Sequence, residues 1–524
     1  MKRNFSGLQD QPFDLLICGG GIYGAWAAYD AALRGLKVAI VEQGDWAGAT
    51  SSASSKLVHG GLRYLESYDF KLVKKALTER QMLLQSAPHR VWPLRFGVPV
   101  YADSRIYRLQ LKTGLMIYDF LAAGAGPEMA HRYFNRQKFS VRFPLLDNVG
   151  LKGGFTYSDA QTDDARLVLE LISGAMQAGA VCVNYCRMTK LIERHNRVNG
   201  AHVHDLITDT PLEVNAKKIV YATGQWSAEM KESANWCRVT KGVHLILPTV
   251  LNEEALLLTV PLDGRVFFII PWYGLTLIGT TDTDYNGDMN RVKVEENEQD
   301  YLLDAANHYL KTAWRKEDVI GSYAGLRVMK RSEKSSPSAV SRDWELKTAA
   351  NGVHYSIGGK ITSAREDAAR IVDKVCVELA NNNPCATKGR LFPWAPTENY
   401  IEWFAKVSEH AEKLNVDHES SKWLIRRHGI RVVEILHDIQ DNPALAQRII
   451  ATVPFIFADL SYSARNEMVV HLDDLLRRRM PLFILHKIDA AELRRLADMV
   501  STALGWDEAA LNRELAACSH YLAK

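Results

Sequence analysis

The chain has 524 residues, 47% of them hydrophobic and 24% charged, which excludes a mostly disordered or collagen-like protein. Its net charge of +3 excludes a dedicated nucleic-acid binder. No apolar run approaches the roughly 18 residues that a membrane-crossing helix needs. The length suggests two or three domains. Seven cysteines without a C-x-x-C pair read as reduced thiols in a cytosolic setting, with no metal site. Met1-Lys2-Arg3-Asn4 is polar and lacks a signal core, so export is not expected.

Phe13 to Cys18 is a short apolar run, followed by Gly19-Gly20-Gly21 and an alanine-rich stretch from Ile22 to Leu33. This reads as strand, tight turn and helix. Lys37 to Val41 is a second strand ending at Glu42, which completes a βαβ unit. A serine-rich loop follows at 51–55. Asp69 to Ser86 has helical spacing, with Phe70, Val73, Leu77 and Leu84 on one side. His89 to Ala122 interleaves Arg90, Arg95, Arg105, Arg108 and Lys112 with aromatic residues, a composition suited to an anionic membrane interface.

Thr162 to Ala178 is a further helix, and Lys217 to Ala222 a strand running into Thr223-Gly224. Val243–Leu247, Arg265–Ile270 and Leu275–Gly279 read as antiparallel strands of a second sheet. Val353 to Ile357 is a buried strand. A helix then runs from about Ala364 to Ala380, opened by a Ser363-x-x-Glu366 capping box. Pro384, Pro393 and Pro396 mark a boundary, after which polar helices continue to the end. The expected fold is α/β (α+β overall): a Rossmann-like nucleotide-binding domain (13–88, 150–240 and 350–385), an antiparallel-sheet substrate or cap domain (89–149 and 241–349) and an all-helical C-terminal domain (399–524).

Gly19-x-Gly21-x-x-Gly24 lies between strand and helix, with Glu42 closing the next strand. Gly19 makes the turn, Gly21 lets backbone approach a pyrophosphate, and Gly24 lets helix and strand pack closely. The helix N-terminus offers amides to phosphate, and Glu42 can accept from a ribose hydroxyl. Glu42 would repel a 2′-phosphate, which disfavours NADP. The glycines do not choose between NAD and FAD. Thr50, Ser51, Ser52, Ser54, Ser55 and Lys56 form a loop of small donors that can reach cofactor oxygens.

Several further motifs carry a family resemblance. They are Ala49-Thr-Ser-Ser-Ala-Ser-Ser-Lys56, His59-Gly-Gly-Leu-Arg-Tyr-Leu65, Asp163-Asp-Ala-Arg-Leu167, Ala222-Thr-Gly224, Lys241-Gly-Val-His244, Ile278-Gly-Thr-Thr-Asp282, Gly325-Leu-Arg327 and Gly358-Gly-Lys360. With the glycine turn, they resemble the FAD-dependent glycerol-3-phosphate dehydrogenases of the aerobic, membrane-associated type. The helical tail, with His471 to Arg479, looks like that family's C-terminal domain. The resemblance implies noncovalent FAD and oxidation of sn-glycerol 3-phosphate to dihydroxyacetone phosphate. It also implies electron transfer to quinone and peripheral contact with the inner face of the cytoplasmic membrane. A homodimer is an open expectation. Three local differences from the family pattern stand out: Trp26 in the first helix, Val328-Met329 after Arg327, in a loop expected near the substrate mouth, and Gln225 before Trp226. Another phosphorylated polyol therefore stands as the alternative substrate, and an amino-acid or amine oxidase as the alternative enzyme.

Oxidising a secondary alcohol with a flavin needs a hydride path, a base, a substrate anchor and a field that tolerates negative charge. A phosphate anchor calls for several cations, and Arg63, Arg327, Arg342 and Lys360 are the candidates, with Tyr64 and Thr362 beside them. His59 and His244 are the candidate bases, and Arg327 completes the catalytic set. The expected cofactor contacts are Gly19, Gly21, Gly24, Glu42, Thr50, Ser51, Ser52, Ser55, Lys56, His59, Gly60, Ala222, Thr223, Gly224, Gly359 and Lys360.

Overall fold

The structure is a computed structural model that describes residues 1–522 except 10, 123, 125, 250–252 and 332–342. The βαβ unit forms as its sequence dictates: β1 (Phe13–Cys18), α1 (Ile22–Leu33) and β2 (Val38–Val41). β1 is central, pairing in parallel with β2 on one side and with strand Thr210–Tyr221 on the other. Strand Val181–Val183 extends the sheet beyond β2, and His354–Ile357 extends it beyond Thr210–Tyr221.

Both faces of this sheet are covered, which explains its unbroken apolar strands. Leu15, Ile17, Val38 and Ile40 pack against α1 and the helices Asp164–Gln177 and Ala364–Glu378. Leu16, Ala39 and Val41 face an antiparallel layer built from Cys186–Arg194, Arg197–Asp205 and the first half of Thr210–Tyr221. Trp26 turns inward, 2% exposed, and stands edge-on to Phe392 at 5.3 Å.

The expected antiparallel strands are present. Cys237–Leu247 pairs with Leu275–Gly279, which pairs with Val266–Trp272. The second sheet is larger than its sequence signature, with ten strands among the described residues. Two long strands, Val91–Tyr101 and Leu151–Thr162, pair antiparallel within it. Val328 and Met329 lie in strand Gly321–Lys330 rather than in a loop.

One local expectation fails. Ser363 makes no capping hydrogen bond at the helix start. Its hydroxyl instead donates to Asp367 Oδ2 at 2.8 Å. Asp367 is buried and must be satisfied, and it also draws in Tyr23 Oη at 3.0 Å and Lys75 Nζ at 2.5 Å. From Tyr400 to Cys518 the regular elements are helices joined by short irregular segments. This region packs on the rest through Trp423, which stacks on Tyr273 at 4.0 Å, and through a buried ionic network. In that network Arg166 pairs with Glu467, and Asp45 with Arg479.

Candidate functional site

The C-terminal end of β1 opens into a cavity of about 480 Å³. Its walls come from the glycine turn, the loop after β2, the serine loop, Ala222-Thr223-Gly224 and Gly358-Gly359-Lys360. Such crevices beyond the strand ends are where α/β sheets hold nucleotides. The glycines are needed sterically. A Cβ on Gly19, whose φ is +113°, would lie 2.4 Å from the Ala222 carbonyl oxygen. A Cβ on Gly24 would lie 1.9 Å from the Gly19 carbonyl oxygen. Gly24 thus brings α1 against the strand without itself lining the cavity.

Glu42 stands at the cavity wall and accepts from the Gly20 amide at 2.6 Å and the Gly44 amide at 2.8 Å. Burial raises its pKa against the pull of those two amides. Ser51 Oγ accepts from the Ile22 amide at 2.9 Å, and Thr50 Oγ1 donates to the Leu326 carbonyl at 2.6 Å. Gln225 and Trp226 line the same cavity, and the Gln225 amide donates to the Met289 carbonyl at 2.6 Å. A glycine cradle, a ribose-type acid and a second wall of small residues suit a dinucleotide such as FAD.

A smaller chamber of about 180 Å³ adjoins it. Thr50, Ser54, Arg327 and Ile361 line both spaces. Ser55, His59, Arg63, Tyr64, Arg265 and Asp282 also face the chamber. The Arg327 guanidinium is held by Thr280 Oγ1 at 2.9 Å, the Thr281 carbonyl at 3.1 Å and Asp282 Oδ1 at 3.3 Å. Lys360 lines the larger cavity, and its ammonium lies 4.0 Å from the Tyr64 ring centroid. The Arg63 guanidinium lies 5.1 Å from the centroid of the same ring.

The remaining expected residues stand behind these walls. Thr362 Oγ1 accepts from the His59 amide at 3.1 Å, so it holds the backbone of His59. The Gly60 amide donates to Asp159 at 3.1 Å, and a Cβ there would meet Tyr118 Oη at 2.4 Å. Lys56 is buried, with its ammonium 2.5 Å from Asp164 and 2.7 Å from the Ser52 carbonyl. It braces the serine loop from within, and neither it nor the buried Ser52 lines either space. Arg342 lies outside the described residues.

His244 is 1% exposed, stacked 4.7 Å from the Tyr323 ring, and its Nε2 meets Ser55 Oγ at 2.8 Å. Burial, then Arg327 and Lys56, push its pKa well below the usual histidine value. It reaches the chamber only through Ser55, whereas His59 faces it directly. The sequence reading missed Arg265 and Asp282 as wall residues. Arg265 donates to the Asp282 carbonyl at 2.8 Å. A charge at the head of the apolar run Val266 to Trp272 was the available signal.

A nucleotide cleft that opens onto an arginine-lined chamber is the layout of a flavin oxidoreductase. The family described as FAD dependent oxidoreductase matches residues 14–365, and the C-terminal domain of alpha-glycerophosphate oxidase matches residues 397–511. A glycerol-3-phosphate dehydrogenase of Synechocystis sp. is 32% identical, over 99% of this chain and 98% of that protein. Glycerol-3-phosphate dehydrogenase 2 of Mycobacterium tuberculosis is 34% identical, over 99% of this chain and 88% of that protein. Among solved structures, the glycerol-3-phosphate dehydrogenase from Bacillus halodurans complexed with FAD superposes with a TM-score of 0.81 at 28% identity. That match covers 98% of this chain and 95% of the other. The chain belongs to the glycerol-3-phosphate dehydrogenase family of FAD-dependent oxidoreductases, and FAD is its cofactor.

Proposed function

We propose that this protein oxidises sn-glycerol 3-phosphate to dihydroxyacetone phosphate. The supporting observation is the confluence of the two spaces at Arg327, with Arg63 and Arg265 on the chamber wall. Three guanidinium groups suit a phosphate that carries nearly two charges, whereas an amino-acid carboxylate needs only one. FAD bound in the larger cavity supplies the hydride acceptor, N5 of its ring, for the C–H of the secondary alcohol.

The chain's own residues do the rest. Arg63, Arg265 and Arg327 hold the phosphate, and Lys360 keeps the junction cationic. His59 takes the hydroxyl proton, because it faces the chamber. His244, buried and neutral, orients the Ser55 hydroxyl. The full chain, purified and kept without oxygen, is expected to lose its yellow colour on addition of sn-glycerol 3-phosphate. Glycerol and amino acids should leave the colour unchanged. Unbleached flavin with glycerol 3-phosphate, or bleaching by another polyol phosphate alone, would overturn the assignment.

The acceptor is proposed to be a membrane quinone, met at the inner face of the cytoplasmic membrane. A groove of about 1300 Å³ shares Leu62, Arg63, Leu257 and Val266 with the chamber. Tyr107, Leu109 and Leu262 on its rim are 75%, 74% and 84% exposed, and Arg105, another lining residue, lies beside them. Basic residues beside exposed apolar ones suit an anionic lipid surface. Among the described residues no helix is long and apolar enough to cross a membrane. The surface contact is tested by flotation with vesicles containing anionic lipid, which Leu109→Ser together with Leu262→Ser should weaken. Equal flotation of the variant would refute this surface.

A further inference from the structure

The loop after β2 does two things at once. Glu42, Gln43, Gly48 and Ala49 face the cofactor cavity. Asp45, between them, points the opposite way and is fully buried against the C-terminal helical region. Its carboxylate receives Arg478 Nε at 2.6 Å, Arg479 Nη1 at 2.5 Å and Arg479 Nη2 at 2.9 Å. The bidentate grip of Arg479 fixes direction as well as charge. Arg479 is itself anchored, donating through Nη2 to the Glu467 carbonyl at 2.8 Å. Next to Asp45, Trp46 donates to Met468 Sδ at 3.2 Å, and its ring packs over Gly20 in the glycine turn.

The loop would not hold this shape alone. Ala47 sits at φ +59°, a left-handed backbone that a residue with a Cβ adopts only at a cost. The turn is closed by the Ala47 amide donating to the Gly20 carbonyl at 3.1 Å, which ties its geometry to the glycine cradle. The support comes from residues more than four hundred positions away: Arg479 and Asp45 are separated by 434.

We infer that Arg479 and Arg478 are positioning residues for the FAD site, acting through Asp45 to hold the Glu42–Ala49 loop in its cofactor-binding shape. The helical region is then a working part of the nucleotide cleft. The inference builds on FAD occupying that cleft, and a wild-type chain that took up no FAD would defeat that premise instead. Asp473, Asp474 and Tyr185 surround Arg478 on its other side, so Arg479 is the cleaner residue to change.

The test compares three variants of the full chain, Arg479→Gln, Asp45→Asn and Asp459→Asn, stripped of flavin and titrated with FAD. Asp459 is the control. It is buried in the same helical region, bound to Arg427 and to His428 Nε2 at 2.7 Å, and does not touch the loop. Arg479→Gln and Asp45→Asn are expected to raise the FAD dissociation constant at least tenfold. At saturating FAD their KM for glycerol 3-phosphate should stay within twofold of wild type. Asp459→Asn should lower the melting temperature yet leave FAD affinity within twofold. Should Arg479→Gln fail to fold, the isosteric Asp45→Asn decides. An unchanged FAD affinity in the folded variants would overturn the proposal, and so would an equal loss in the Asp459→Asn control.

Discussion

Gly242 lies in the strand beneath Arg327, and a methyl group placed there would press on the guanidinium without removing it. A Cβ on Gly242 would stand 2.2 Å from Arg327 Nη2 and 2.6 Å from both its Cζ and Thr280 Oγ1. An ordinary contact is roughly 3.5 Å, so the guanidinium must move by about 1 Å or more. The obstructing atoms are the far ends of side chains, so the fold should yield locally, at a cost of about 1 kcal/mol. Catalysis should yield much more. The move breaks the bonds from Arg327 to Thr280 at 2.9 Å and to the Thr281 carbonyl at 3.1 Å. A 1 Å misplacement of a substrate-holding group costs on the order of 100-fold in rate, or about 2.7 kcal/mol. Gly242→Ala is therefore expected to keep its flavin and nearly its melting temperature while kcat/KM for glycerol 3-phosphate falls by about 100-fold. Flavin content from the visible spectrum and initial rates at saturating acceptor measure both. Wild-type kcat/KM in a variant that folds and holds FAD would refute the role given to Arg327.

Two further outcomes follow from the same geometry. Arg265→Gln should raise KM for glycerol 3-phosphate by about 10- to 100-fold, the worth of one charged hydrogen bond to phosphate, with the flavin spectrum unchanged. An unaltered KM would confine Arg265 to its ion pair with Asp263 at 3.3 Å and its bond to the Asp282 carbonyl. Acid should destabilise the protein below pH 6.5. Burial lowers the pKa of His428 to about 4, and burial also depresses His89 and His244. The unfolded chain then binds more protons than the folded one, so stability falls as pH falls, by up to about 1.4 kcal/mol per pH unit for His428, with His89 and His244 acting in the same direction. For His428 the window runs from 6.5 down to about 4. Glu170 adds to the loss at lower pH: despite burial, His89 and Arg90 hold it down at about 2, so its contribution disappears as pH falls toward that value. Melting temperatures between pH 7 and pH 4.5 should drop less steeply in His428→Gln than in wild type, and parallel slopes would contradict this.

The nucleotide half was legible because local rules and the fold agree there. Glycines punctuate the turn, and a strand buried on both faces is apolar throughout, so β1 and α1 appear with the bounds read from sequence. Strand Val91–Tyr101 was hidden by Pro93, Arg95 and Pro99, whose cost is met by a partner more than fifty residues later. The chamber was legible as a set of cations and unreadable as a geometry. Arg265 reaches it from the head of a strand, and Lys56, read as a cofactor contact, is drawn away from the larger cavity by Asp164, 108 positions distant. The Ser363 cap lost to Asp367 because a fully buried carboxylate must be satisfied and takes the hydroxyl as one of its donors.

The order of strands in the parallel sheet also dictates when during synthesis the flavin can be accepted. The glycine turn leaves the ribosome early, but the carbonyl it packs on belongs to Ala222, and Gly359 and Arg479 emerge later still. A nascent chain thus carries half a cleft through most of its translation, with β1 lacking one neighbour. Full affinity for the flavin then arrives only once Arg479 has been made, and a chain that stops before it should hold FAD more weakly.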